Sequence, residues 1–405
     1  MSKVTEPILL DKTGREMIDE MRTQNMLLGI LSGTNINSVQ DLKTIRRIVQ
    51  SGNANKVFNI GDQIVIPWTD TAAGKTYEVP LDVTHFGDVT LQDGEVVPGM
   101  YLQWHYCTPF GIQFDQNEAF YKTDGEMEAG TYNITVGANW GTNCKSGETY
   151  QFTLTKPVPS GGLLAGFMGM PDQAPANWKV SSYADEKSAA IETVAVTLGN
   201  EGTSLGSFVP AESEGLNSLH RLAYGYNRWS QSAIRQWLNS KESAGNWWSA
   251  QNDYDRAPDQ LSTKDGFMKG FDEEFLSCIQ AVKVTTALNT VTDTAVGETE
   301  DTYDKFFLPS LEQMYCVPQA SGKEGDFWEY WKRASGLTTP MAQYGTYPQI
   351  RTCAIENHAS PQNVRLRSAS RGHGNYTWDV SASGYVNNHY SATSAYRCAP
   401  ACVIC

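Results

Sequence analysis

Two clusters of carboxylates are the residues of this chain whose spacing best suits chemistry. Their members are Asp253, Asp255, Glu298, Glu300 and Asp301. Closely spaced carboxylates can ligate calcium or act as the acid and base of a glycosidase. Neither cluster has the glycine and the ligand spacing of a calcium loop, so we interpret both as solvated acidic loops. An enzyme that cleaves surface glycans with these carboxylates is the weaker alternative.

The other groups with catalytic potential lack a diagnostic arrangement. The chain contains no GxxxxGK[ST] and no GxGxxG phosphate-binding loop, and its six histidines form neither HExxH nor HxH. Of its eight cysteines, Cys398, Cys402 and Cys405 cluster near residue 405. A second cluster does not accompany them, which favours free, buried thiols over a metal site. The chain is therefore predicted to be non-enzymatic, with no cofactor and no bound metal.

The aromatic runs at residues 247–248 and 327–331 also suit chemistry, because surface tryptophans can stack on sugar rings. Large aromatic side chains are more often buried, and we interpret both runs as core.

Residues 371–396 have the composition of a binding surface. They contain four Ser, four Tyr, three Asn and three Gly, and no Lys, Glu, Gln or Met. Antibody binding loops use the same residue types, because Tyr gives a large contact area at low entropic cost and Ser, Gly and Asn give adaptable hydrogen bonds. An ordinary strand-and-loop segment is the alternative, since turns favour several of these residues.

The net charge of −14 disfavours nucleic acid as a partner, because an acidic chain repels phosphates. The first residues lack the apolar core of a signal peptide, and no stretch approaches the ~18 apolar residues of a membrane span. We therefore expect no membrane insertion.

The elements that must position these residues change in character along the chain. Apolar residues at helical spacing predict helices over residues 8–31 and over 38–50. A short heptad pattern in the first helix could form a homo-oligomer (a trimer is favoured); the alternative is an amphipathic helix packed on its own domain. Short strand patterns between turns such as Asp93-Gly94 and Asp124-Gly125 predict an antiparallel sandwich or jelly roll up to about residue 160. Helices are predicted again over residues 230–239 and 264–281, and a buried strand at 306–308.

Several blocks resemble a family of phage and prophage proteins from gut bacteria. The blocks are residues 227–239 (NRWSQSAIRQWLN), 267–271, 285–292, 305–313, the L-R-S motif at 366–368, and a final strand at 398–404 with an A-P-A motif. The resemblance extends over about residues 178–405, and residues 56–67 resemble segments that precede this domain. One departure is Arg365, because the family often has an aromatic residue there.

This resemblance implies a C-type-lectin-like fold, shared with formylglycine-generating enzymes and with variable proteins of diversity-generating retroelements. In the latter systems mutagenesis of Asn codons cannot produce Lys, Glu, Gln or Met, which fits the composition of residues 371–396. The relation to formylglycine-generating enzymes does not extend to catalysis, because their active-site cysteines do not align with Cys398 or Cys402.

The resemblance implies a virion protein, of the tail-fibre, tail-tip or head-fibre type, that binds a bacterial surface receptor (protein or glycan) and contacts other virion proteins. The alternative is a capsid decoration or tail protein whose lectin-like domain contacts only virion subunits. The candidate contact residues are His373, Asn375, Tyr376, Thr377, Asp379, Ser381, Ser383, Tyr385, Asn388, His389 and Tyr390. Trp378, Val380 and Val386 alternate with them and are predicted to face the core.

The sequence thus predicts a β-rich α+β chain in three parts. Residues 1–67 form a helical region for virion attachment or oligomerisation. Residues 68–160 form a β-sandwich spacer, and residues 161–405 form the lectin-like ligand-binding domain.

Overall fold

The structure is a computed structural model that describes residues 41–137, 146–165, 179–183, 190–195, 197–199, 202–208, 221–222, 224–318, 324–347, 349 and 351–405. The predicted helix over residues 8–31, with its oligomerisation pattern, lies outside the described residues. So do Ser38, the predicted N-cap of the second helix, and His220.

Five short α-helices have both ends within the described residues, and each buries apolar side chains. They are α1 (Leu42–Gln50), α2 (Ala54–Val57), α3 (Ala233–Leu238), α4 (Glu273–Cys278) and α5 (Glu329–Ser335). In α1, Ile45, Ile48 and Val49 are fully buried, as their helical spacing requires. Gly52 follows this helix with a φ of 72°, a conformation that glycine adopts without steric cost. The predicted end of this helix is confirmed.

The described strands, in chain order, are β1 (Gln63–Asp70), β2 (Lys75–Thr90), β3 (Val96–Trp104), β4 (Ile112–Gln113), β5 (Ala119–Lys122), β6 (Gly130–Val136), β7 (Thr149–Leu154), β8 (Leu163–Ala165), β9 (Lys179–Tyr183), β10 (Ala190–Ala195), β11 (Thr197–Leu198), β12 (Thr203–Phe208), β13 (Val282–Ala287), β14 (Thr299–Asp304), β15 (Phe306–Phe307), β16 (Thr352–Cys353), β17 (Pro361–Gln362), β18 (Val364–Ala369), β19 (Tyr376–Val380), β20 (Val386–Ser391), β21 (Ala395–Tyr396) and β22 (Ala401–Ile404).

The central sheet joins the two ends of the described chain. Its order is β1-β2-β3-β22-β15, with every neighbouring pair antiparallel. β1 lies at the edge, where Pro67 costs no ladder hydrogen bond. β22 lies between β3 and β15, so residues 401–404 complete a sheet begun by residues 63–104. One apolar core accordingly extends from Ile45 in α1 to Cys405.

This sheet corrects the predicted division at residues 67 and 68. That boundary falls inside β1, and β2 and β3 of the predicted spacer pair with each other and with the final strand. The physical reason is hydrogen bonding, because β3 without β22 would leave a row of its backbone groups unpaired.

A second unit lies between residues 119 and 208. Its two four-stranded sheets have the orders β10-β9-β8-β5 and β11-β7-β6-β12, and all pairs are antiparallel except β12 with β6. Ile134, Tyr150, Phe152 and Leu164 are buried in a separate apolar cluster. The β-rich unit predicted to end near residue 160 therefore continues to residue 208.

Two predicted helices are interrupted. The one over residues 230–239 consists of a 3-10 turn, Trp229–Gln231, followed by α3, because the side chain of Ser232 accepts a hydrogen bond from the backbone N–H of Arg235 and caps α3. The one over residues 264–281 consists of the 3-10 turn Phe267–Gly270 and then α4, which Asp272 caps. Interior residues that prefer N-cap positions explain both breaks.

The predicted class is confirmed: the fold is α+β and β-rich, with mostly antiparallel sheets. The sandwich or jelly-roll topology and the lectin-like fold remain predictions. No helix among the described residues is long and apolar enough to cross a membrane.

Candidate functional site

The candidate contact residues lie on and around a three-stranded antiparallel sheet, β18-β19-β20. Trp378, Val380 and Val386 are buried, with at most 3% of their surface exposed, which confirms that they face the core. Their burial fixes the sheet on the rest of the domain, so the segment is held by packing and not only by its turns.

Four candidate contact residues are buried as well. Asn375, Thr377, Asp379 and Asn388 have between 0 and 5% of their surface exposed. Their prediction as exposed contact residues is therefore wrong. Strict alternation holds for a sheet with one solvated face, whereas β19 has polar and apolar faces that are both covered by protein.

Arg365 on β18 explains why the polar face is covered. This fully buried guanidinium donates to the hydroxyl of Thr377 and to the backbone carbonyls of Ser391 and Ser394, at 3.0 and 2.8 Å. Its burial lowers the pKa of Arg365 to about 10, against the attraction of Asp379. Arg365 stands where the resembling family often has an aromatic residue. It therefore places a cation beneath β19 and β20.

Asp379 lies in the same buried polar layer. The side-chain amide of Asn387 donates to its Oδ2 at 3.3 Å, while Oδ1 has no hydrogen-bond partner. Burial raises the pKa of Asp379 to about 8, and the charge of Arg365 only partly opposes this. Asp379 is therefore mainly protonated at neutral pH, which reduces the cost of burying it.

The more exposed candidates separate into two groups at opposite ends of the sheet. At one end, Tyr376 pairs with Ser391 and Thr377 with Tyr390. The ring of His373 lies 4.9 Å from that of Tyr376, and Tyr390 lies 4.3 Å from Tyr396. Of His389, only the backbone, within β20, belongs to the description.

The other end is the turn between β19 and β20, which carries Ser381, Ser383 and Tyr385. The backbone N–H of Tyr385 donates to the hydroxyl of Ser381 at 3.1 Å, and the N–H of Ser381 donates to the carbonyl of Tyr385 at 2.9 Å. Gly384 has a φ of 83°, which only glycine adopts without cost. This turn is therefore fixed by its own hydrogen bonds.

Tyr344 lies against this turn and was not predicted. Its N–H donates to the carbonyl of Val386 at 2.9 Å, and the N–H of Tyr347 donates to the carbonyl of Gly384 at 2.8 Å. The ring of Tyr344 lies 5.3 Å from that of Trp378, and 46% of the residue is exposed. Its φ of 59° is rare for a side chain of this size. We call Tyr344, Ser381, Ser383 and Tyr385 the tyrosine tip.

The β18-β19-β20 sheet lies in the part of the chain that matches a family model. Residues 208–405 match a family model described as a domain of unknown function (DUF6273). That range is 198 of the chain's 405 residues. No curated protein and no solved structure matches the chain. The match begins about 30 residues after the start inferred from the sequence blocks.

Within the matched region, the L-R-S motif has a structural role. Arg367 is buried and donates to the carbonyls of Thr285, Leu308 and Glu324 and to the side chain of Gln313. Ser368 accepts from the N–H of Leu311 at 2.9 Å and donates to the carboxylate of Glu324 at 2.7 Å. Three separate segments are thereby joined to β18.

The NRW motif supports the candidate segment from the other side. The buried side-chain amide of Asn227 donates to the carbonyls of Ser370, His373 and Tyr376. Its oxygen accepts from Asn289 at 3.0 Å. Blocks that are far apart in the sequence therefore meet under the loop that leads into β19.

The acidic clusters are not simply solvated loops. Glu300 binds Arg228 at 2.8 Å and accepts from the N–H of Ser230, and Asp255 is buried. Burial raises the pKa of Asp255 to about 7. It lines a cavity of about 520 Å³ together with Asp253. Both oxygens of Asp255 accept backbone N–H groups, from Gln251 and Arg256, so this carboxylate stabilises its own loop.

The remaining candidates for chemistry have structural environments. Trp247, Trp248, Trp328 and Trp331 are buried, which confirms the core interpretation, whereas Phe327 is 39% exposed. Residues 202–206 read GTSLG, the form of a hydrolase nucleophile turn, yet Ser204 lies within strand β12 and not between a strand and a helix.

The cysteines that the structure describes are free thiols. Among the described residues, no group of three or more His, Cys, Asp or Glu side chains is arranged to hold a metal ion.

Proposed function

We propose that this chain is a non-catalytic bacteriophage virion protein that binds a receptor on the bacterial surface through the tyrosine tip. The observation that carries the proposal is the tip itself: the exposed Tyr344 and Ser383 and the half-buried Ser381 and Tyr385 lie together at a turn fixed by hydrogen bonds, beside a largely buried sheet. Rigid Tyr side chains beside small polar residues give contact area and hydrogen bonds at low entropic cost.

The surface chemistry supports recognition over catalysis. Tyr344 and Tyr385 offer ring faces, and Ser381 and Ser383 offer hydroxyls 2.9 Å apart that both donate and accept. Strong pKa shifts in the sheet belong to Arg365, Arg367 and Asp379, all of which are buried. These groups stabilise the support, while the tip contacts the receptor.

Phage particles that carry the double variant Tyr344→Asn/Tyr385→Ser test the proposal. Asn tolerates the positive φ of residue 344, so the rings are removed with little strain. We expect adsorption to the propagating host to fall at least tenfold, because central aromatic contacts dominate binding surfaces. Val65→Ala/Val96→Ala, which changes two exposed side chains of the central sheet, is the matched control and should adsorb normally.

A second pair, Tyr376→Ser/Tyr390→Ser, places the same chemical change at the other end of the sheet. Adsorption that falls with this pair and not with the tip pair would overturn the assignment of the tip. Normal adsorption of the tip variant would overturn receptor binding at this surface. Folded tip variants that fail to enter the particle would show instead that the tip contacts virion subunits.

A further inference from the structure

A small cavity beside β2 and β3 has four aromatic residues in its lining: His85, Tyr101, Phe307 and Trp328. Its volume is about 170 Å³, and His85, Tyr101 and Trp328 contribute to its wall. The rings of His85 and Tyr101 are 5.5 Å apart at 61°, and those of Tyr101 and Trp328 are 5.8 Å apart at 53°. At these distances each ring packs edge-on or tilted against the next, so the three rings form one continuous aromatic wall of the cavity.

The charges around the cavity favour a cation. Asp88 and Asp326 are exposed residues at its rim, and the buried Glu324 also lines it. The two lining cations already have protein partners. Lys283 lies 3.4 Å from Asp301, and the N–H groups of Arg367 point at carbonyl and side-chain oxygens of the protein. An anionic ligand would therefore find few donors and would meet the rim carboxylates.

The protonation states of His85 and Tyr101 are consistent with the binding of a cation. Burial lowers the pKa of His85, which keeps the imidazole neutral at pH 7, and the carboxylates of Asp326 and Glu329 oppose this shift only in part. Burial also raises the pKa of Tyr101 to about 12, so its ring is neutral as well. Neutral rings attract a cation through their faces.

We propose that this ring cavity binds a small organic ammonium group, such as a methylated amine, between the aromatic wall and the carboxylates of Asp88 and Asp326. Aromatic rings next to carboxylates recognise quaternary ammonium ions in this manner. The volume lies below the ~300 Å³ of an ordinary drug-sized pocket, which limits the ligand to a head group. The proposal does not depend on the proposed function, because the cavity and the tyrosine tip have no residue in common.

Titration of the full chain with choline chloride tests the site, with 3,3-dimethylbutan-1-ol as the neutral probe of the same shape. We expect choline to bind at least tenfold more tightly by calorimetry, because only the ammonium gains from the rings and carboxylates. In NMR spectra the imidazole resonances of His85, identified by their loss in His85→Gln, should shift on addition of choline.

The variant Asp88→Asn/Asp326→Asn should weaken choline binding at least tenfold. Asp93→Asn/Glu95→Gln is the matched control, since it removes two exposed carboxylates from the neighbouring turn between β2 and β3, and it should bind choline normally. Three results would overturn the proposal: equal affinity for the neutral probe, no binding of millimolar choline, or unchanged affinity in the Asp88/Asp326 variant.

Discussion

Buried polar residues determine much of the position of the β18-β19-β20 sheet. Arg365, Arg367 and Asn227 each make three or more hydrogen bonds to segments distant in the sequence. Breaking such a network leaves several carbonyls unpaired, which costs more than the hydrogen bonds contribute when they form. These residues therefore determine where the segment lies, although none of them faces solvent.

Asp379→Asn should change how stability depends on pH. The folded state keeps the proton of Asp379 up to about pH 8, whereas the unfolded chain releases it near pH 4. The native carboxyl therefore destabilises the fold progressively as pH rises from about 4 to about 8. Because Asn cannot ionise, the variant should gain stability over the native chain by up to ~1.4 kcal/mol per pH unit. Urea unfolding at pH 5 to 8 measures this.

Asp93→Asn is the control for that experiment, since Asp93 is exposed in a turn and its removal should give a curve parallel to the native one. A difference between Asp379→Asn and the native chain that stays constant with pH would contradict the prediction.

Short elements in this chain owe their positions to single residues at their ends. Ser232 and Asp272 begin α3 and α4 by accepting backbone N–H groups, and Gly384 completes the turn before β20. Elements of six residues or fewer are not stable alone, so these end residues and the tertiary packing must act together.

Gly384→Ala should destabilise the turn that carries the tyrosine tip. At a φ of 83° a Cβ costs about 1 kcal/mol, which thermal or urea unfolding detects. Gly372→Ala is the matched control in the same segment, because its φ is not in the left-handed region and a Cβ there meets no atom within 4 Å. Equal stability of the two variants would show that the turn rearranges at no cost.

At the scale of the whole molecule, the final strand connects the first described residues to the last. β22 pairs with β3 on one side and with β15 on the other. Arg46 of α1 also donates to the carbonyl of Cys405 at 3.0 Å. Residues 42–104 and 224–405 are therefore parts of one cooperative unit, and residues 119–208 form a unit with its own core.

Removal of residues 401–405 should therefore unfold the central sheet and not only its last strand. We expect hydrogen exchange at the amides of residues 99–104 to accelerate at least a hundredfold, because β3 loses a partner and Met100 and Leu102 lose their cover. Amides of β6 and β7 should exchange as in the native chain. Acceleration confined to residues next to the cut would contradict a shared core.

Local signals in the sequence allowed part of the fold and part of the candidate site to be predicted. The β-rich class, α1 with its end at Gly52, the strand at Phe306 and Phe307, and the buried Trp378, Val380 and Val386 follow from periodicity and turn residues. The candidate segment was proposed from its composition, which is local information, and its role in binding stays a prediction. Tyr344 was missed, since its contacts with Val386 and Trp378 are formed between residues about 30 to 40 positions apart.

The sequence by itself determined which residues are apolar at strand or helix spacing, where turns fall, and which segment is rich in Tyr and Ser. Only the tertiary structure decided which of those residues reach solvent. Burial of Asn375, Thr377, Asp379 and Asn388 depends on Arg365 and on the packing of both faces of β19, and the union of β3 with β22 depends on a pairing between residues about 300 positions apart. Such contacts form only when parts of the chain that are distant in the sequence come together in the folded protein, and no local sequence pattern encodes them.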